Sequence, residues 1–246
     1  MDRMGNFNIN RLDKLFLRIK NSPKKIQLFT SIYYTLSKLK YKAVANPFGV
    51  ILVNPHEITH NVNTYKSTRF SLTRGLIKNG DWDKDIKLFE NKKKHKSLLE
   101  HFKEGKAWLD TVKFKKHYKA RFERGEVVRG CADIYELATF YEKSIDGLYH
   151  SIKADGFKMP GREVKQSDML VFIDRKGQIL LGPNGNHRLT IAKLLNLAKI
   201  PVKVHVRHEN WQKTREKVYR SLKENKGIDS DYLKFHPDLQ DLFCKF

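Results

Sequence analysis

The sequence predicts an α+β fold, a small mixed β-sheet preceded and surrounded by helices. Three observations carry that expectation. Apolar runs bounded by Gly, Pro, Asn or Asp crowd the C-terminal third: "DMLVFID", "QILLGPN" and "IPVKVHVRH". Elsewhere the apolar residues recur at helical spacing. Fifteen Phe, ten Tyr and three Trp supply the bulk of a core in a chain only 40% hydrophobic.

From the N-terminus, "INRLDKLFLRIK" (9–20) sets Leu12, Leu15, Phe16 and Ile19 on one face of a short helix. "NSPKK" then offers Ser22 as N-cap and Pro23 at the first position of a second helix running to about Lys40. Residues 1–45 hold ten Lys/Arg against two Asp and are expected to form a basic helical extension to a domain spanning 46–246. "FGVILVNP" (48–55) ends in Asn-Pro and predicts a buried strand. "HEITH" reads as its exit loop, because His56, Glu57 and His60 lack a metal-ligand spacing and no metal site is assigned.

A helical insertion is expected over about 64–155. Its first part is helical in pieces, with Ile86, Phe89, Leu98, Leu99, Phe102, Phe114, Tyr118 and Phe122 as apolar positions. Its second part, 132–154, is one long helix burying Ile134, Leu137, Tyr141, Ile145, Leu148 and Ile152, ended by Asp155-Gly156. A hairpin through "RKGQ" follows, then a helix over 186–197, the strand "IPVKVHVRH" and the charged closing helix "ENWQKTREKVYRSLKEN".

The net charge of +22 predicts a polyanionic partner: a nucleotide, or nucleic acid held through the Lys-rich segments 92–121 and 11–42. The basic N-terminal helices also have the character of a membrane-surface segment. Of the 49 basic residues 35 are Lys, dispersed along the chain, so part of this excess is a solvated face rather than a binding surface. Cys131 and Cys244 fit neither a disulfide framework nor a zinc motif. With no secretory signal at the N-terminus and no apolar run long enough to span a bilayer, a cytoplasmic protein is expected.

The chemistry concentrates in "LLGPNGNHRLTIAKLLNLAKIPVKV", which runs strand, turn, helix, strand. A strand entering a helix through Gly182-Pro183-Asn184-Gly185 exposes the first helical N–H groups, and these with the helix dipole favour an anion. Gly185 lets a phosphate approach the backbone, Asn186 and His187 can donate, and Arg188 can fork onto phosphate oxygens. Ordinary capping needs one such group. Asn184, Arg207 and His208 are additional candidates, the last two equally suited to capping the closing helix.

"GPNGNHRLTIAKLLNLAKIPVKV" resembles the phosphate-binding motif of the ParB/sulfiredoxin superfamily, in which a strand leads to Gly-x-His-Arg or Gly-x-Arg-Arg, an Ala-Lys-rich helix and an Ile-Pro-Val strand. The likeness is close over about 25 residues, loose at "VILVNPHEI", and silent over 64–155. It extends to ParB-like nuclease-domain proteins of archaea, bacteria and phages. It implies that Gly185, Asn186, His187 and Arg188 hold the phosphates of ATP or CTP, with Mg2+, in a phosphotransferase or nucleotide hydrolase. Glu57 and His187 are then the catalytic candidates, Glu57 standing near where kinases of this fold place their base. Asn186 occupies the position of the sulfiredoxin cysteine, which excludes sulfinic-acid reduction. The kinases carry an acidic residue near the place of Asn184 or Gly185, which weakens the case for a base or metal ligand there. A DNA- or RNA-binding or nuclease protein using the same turn, and a non-catalytic interaction module, are the alternatives.

Overall fold

The computed structural model describes residues 22–62, 73–165, 167–228 and 230–245, so the expected 9–20 helix lies outside the described residues. Helix α1 (Pro23–Lys40) begins after an extended Ser22 with Pro23 in its first turn, as the Ser-Pro pair predicts. Its stripe of Ile26, Thr30, Tyr33 and Ser37 is buried. The Tyr33 hydroxyl accepts from the Ile77 amide at 3.0 Å and donates to the Ile77 carbonyl at 3.2 Å. The described part of the 1–45 segment thus packs this stripe against the sheet.

Seven strands form one mixed sheet. Its order is β1 (Ile51–Val53), β7 (Ile200–His208), β5 (Leu170–Ile173), β6 (Ile179–Leu181), β2 (His60–Val62) and β4 (Ile86–Leu88). Strand β3 (Leu76–Lys78) pairs in parallel with the end of β7, while β1 pairs antiparallel with its start. The β5–β6 hairpin forms as its turn predicts, and β5 runs parallel to β7. All nine residues of β7 are buried, the mark of a strand covered on both faces. Its register shifts between Val204 and Val206, leaving His205 as the extra residue of a bulge.

Two expectations are corrected here. The 48–55 strand shrinks to three residues at the sheet edge, with Leu52 47% exposed, because only β7 pairs with it. The 64–155 insertion is not wholly helical: it supplies β3 and β4, and Ile86 and Phe89 sit in a strand and a 3-10 turn instead of on a helix. The 132–154 helix forms as one path from Ile134 to Asp155: α4 (Ile134–Tyr141), a π turn over Glu142–Asp146, and α5 (Gly147–Asp155). Gly156, at φ 71°, terminates it as expected.

Helix α1 covers one sheet face, where Tyr33 meets Phe172, Leu180 and Val206. The other face carries helix α6 (Asn186–Leu194) through Leu189 and Ala192, and helix α7 (Glu209–Lys223) through Trp211 and Val218. The opposite side of α6 presents Ile191 to a second core, built from helix α2 (Lys93–Phe102), a π turn over Phe114–Tyr118, α4 and α5. Between that π turn and α4 runs the short α3 (Lys119–Glu123). Helix α6 is therefore sandwiched, and its N-terminus opens where sheet and helical layer meet. After α7, helices α8 (Asp231–Phe235) and α9 (Gln240–Phe243) close the chain around a buried Asp238. Among the described residues no helix is long and apolar enough to cross a membrane.

Candidate oxyanion site

Strand β6 delivers the chain into Gly182, whose amide donates to the Leu170 carbonyl at 2.8 Å. A Cβ on Gly182 would stand 2.7 Å from that oxygen, so the hairpin and the turn come together only around glycine. Three residues on, Gly185 is the N-cap of α6 at φ 105°, and a Cβ there would meet Met169 at 2.7 Å. No side chain caps this helix. The amides of Asn186, His187 and Arg188 have no acceptor among the described residues, and the first helical bond is Leu189 N–H to the Gly185 carbonyl. Gly185→Ala is expected to cost about 1–3 kcal/mol in backbone strain and to displace this turn. Urea unfolding measures it, and an unchanged midpoint would count against the conformation described.

Cations converge on the open helix end. Lys92 Nζ donates to Asn186 Oδ1 at 2.8 Å. A cleft of about 350 Å³ holds Lys92, Lys93, Lys94, Lys113 and His117 against Asn186. It shares Lys94, Pro183 and Asn186 with an adjoining cleft of about 290 Å³ that holds Arg129, Ser167 and the residues from Asn184 to Arg188. Arg129 reaches the site from a tight turn, itself at φ 56°, with its guanidinium 5.6 Å from the Tyr141 ring. None of the described residues lining either cleft is a carboxylate.

Burial without counter-charge leaves its mark on the protonation of these groups. Burial, reinforced by Lys94, pushes the Lys92 amine down to about 8. Burial, with Lys94, Arg129 and Arg121 adding repulsion, pushes Lys113 down to about 6. Lys94 is lowered by burial and Arg129. The same environment pushes His187 to about 3, burial first and then Lys94, Arg129 and Lys113. Its ring meets Tyr141 edge-on at 6.0 Å, and its buried Nε2 has no partner. His187 is thus a neutral imidazole through the physiological range and no proton donor of the imidazolium kind.

His205, fully buried in the β7 bulge, is likewise pushed to about 3 by burial and Arg74. Both histidines bind a proton in the unfolded chain below about pH 6.5 while the folded chain refuses it until about pH 3. Stability is therefore expected to fall as pH drops through that window. His205→Gln should flatten the unfolding free energy between about pH 6.5 and 4, and a slope unchanged in this variant would refute the assignment.

The structure brings Asn184, Gly185, Asn186, His187 and Arg188 together around one cleft. Arg188 Nη1 donates to the Ser167 carbonyl, so the guanidinium is anchored beside the turn without a carboxylate neutralising it. The other candidates lie elsewhere. Glu57 ends a 3-10 turn and lines a separate cleft of about 680 Å³ with Arg207 and Asp238. Arg207 is buried and spent on Asp238, with Nη2–Oδ1 at 2.5 Å. His208 caps α7, its Nδ1 accepting from the Asn210 amide at 3.0 Å, while Nε2 meets the Gly80 carbonyl at 2.9 Å. None of the three lines the cleft at the turn; for Arg207 and His208 the reason is that β6 runs antiparallel to β5 and β7, so the turn after Leu181 leaves the sheet at the end opposite the last residues of β7. Lys92, Lys94 and Lys113 belong to the Lys-rich stretch already suspected as a phosphate surface; Arg129 carries no local signal at all. No family model, curated protein or solved structure matches the chain.

Proposed function

We propose that this protein binds the phosphate groups of a nucleotide, ATP or CTP, at the turn from Gly182 to Arg188, with phosphotransfer or nucleotide hydrolysis as the associated chemistry. The observation that carries the reading is the convergence of Lys92, Lys93, Lys94, Lys113, Arg129 and Arg188 on an uncapped helix N-terminus with no lining carboxylate. An anion seated in this partly desolvated cleft would offset the mutual repulsion of these groups. The strand–turn–helix–strand order and the Gly-Asn-His-Arg sequence support kinship with the ParB/sulfiredoxin superfamily within this reading.

The lining does not suit Mg2+, which takes carboxylate oxygens, and the described residues hold no cluster of three or more metal-ligating side chains. No step is assigned to a metal. Negative charge developing in phosphoryl transfer would be met by Arg129, Arg188 and the α6 amides. Thermal shift tests the reading: ATP or CTP at a hundred times its dissociation constant should stabilise the fold by about 2.7 kcal/mol. No shift with either nucleotide, with or without Mg2+, sinks it.

One observation favours nucleic acid as a second reading. Lys93, Lys96, Lys116 and Lys119 are exposed beside the cleft and form no ion pair among the described residues. A strand whose backbone phosphate sat at the turn would be gripped by these side chains. Its affinity is expected to fall by orders of magnitude between about 50 and 200 mM salt, whereas flat salt dependence excludes it.

A further inference from the structure

Lys113 is the buried amine of the cleft and the least explained group in it. Its backbone is fixed, the amide donating to Ser97 Oγ at 2.9 Å on α2. Its side chain is buried, and Nζ reaches Tyr118 Oη and, at 3.4 Å, Tyr141 Oη, which are themselves 2.6 Å apart. The tyrosine hydroxyls are neutral, and although Nζ lies 4.3 Å from the Tyr118 ring, no anion faces the amine among the described residues. The charged groups facing Nζ are Lys94 from α2, Arg129 from its turn and Arg121 from α3. The titratable neighbours are Tyr118 from the π turn, Tyr141 from α4 and, across the cleft, Lys92, His117 and His187. Every charged neighbour is a cation, yet the group opens onto the cleft that Asn186 lines.

A neutral amine is the stable form of such a group while the cleft lacks an anion. An oxyanion placed against the Asn186 turn reverses the balance, since its charge then lies within the same cleft. We propose that Lys113 is the proton acceptor of this cleft: an oxyanion seated against the turn draws a proton onto its Nζ. The burial that lowers the amine to about 6 agrees with this geometry. For a phosphate monoester the proton can come from the ligand itself. This proposal rests on the oxyanion reading above.

Sulfate tests it cleanly because sulfate does not titrate near neutrality, so any proton taken up with it goes to the protein. Calorimetry in buffers of different ionisation enthalpy at about pH 7.5 should show uptake approaching one proton per sulfate bound. The affinity should also weaken, at most tenfold per pH unit, as pH rises above about 6. Lys113→Arg, permanently charged, should still bind sulfate while losing both the uptake and the pH dependence. Tyr118→Phe, which keeps the amine, should retain them, and circular dichroism checks that both variants fold. Sulfate binding without proton uptake in the parent, or uptake that survives Lys113→Arg, overturns the proposal and leaves the oxyanion site standing. Absence of any sulfate binding overturns both.

Discussion

Asp238→Ala is expected to destabilise the fold by about 3–5 kcal/mol, the cost of removing one partner from a buried ionic network. Two guanidinium groups share this carboxylate. Arg207 Nε lies 3.1 and 3.0 Å from its oxygens, and Arg215 Nη1 3.3 Å from one of them. Trp211 Nε1 adds a bond at 2.9 Å. Arg215 is also held by Asp241 and by the Ala43 carbonyl, so the network ties α7, the C-terminal segment and the chain after α1 together. Without Asp238, Arg207 is left buried and unpaired. Burial alone would raise the Asp238 carboxyl, but Arg207 and Arg215 outweigh it and hold the group at about 2. The contribution is therefore full above about pH 4 and lost as pH falls through about 2. Urea unfolding at neutral pH is the measurement; a variant within about 1 kcal/mol of the parent would show that the network does not hold the fold.

Replacing Arg129 and Arg188 together by Ala is expected to lower oxyanion affinity by about a hundredfold or more, since each charged hydrogen bond contributes about 1.5–3 kcal/mol. The same double variant should be no less stable than the parent in the absence of anion. Arg129 contributes repulsion to Lys94, Lys113 and His187, which its removal relieves. Sulfate should then raise the melting temperature of the parent far more than that of the variant. Opposite signs for function and stability are what separate a binding site from a structural cluster. A double variant that melts lower and binds sulfate undiminished would contradict the assignment.

The local chemistry of the candidate site was legible because it depends on neighbours in sequence. Gly182 and Gly185 are required by close approach and a left-handed angle within a few residues, and the Ser22-Pro23 helix start and the Gly156 stop are equally local. The place of Glu57 was not legible, for the opposite reason. Following β1 in sequence says nothing about which cleft its carboxylate faces once the 3-10 turn has rotated it. Ile86 and Leu88 alternate as a strand does, yet three residues of alternation cannot outweigh the helical spacing around them.

By itself the sequence determined the mixed composition of the fold, the hairpin feeding the turn, and the glycine-rich start of the helix at Asn186. Each follows from short-range patterns of polarity, glycine and proline. Only the tertiary structure decided that Lys92, Lys94, Lys113 and Arg129 meet at that helix, while Arg207 and His208 turn away. The former depends on packing the second core against the outer side of α6. The latter depends on strand direction, since the hairpin delivers the turn to the start of β7 while Arg207 and His208 lie at its far end.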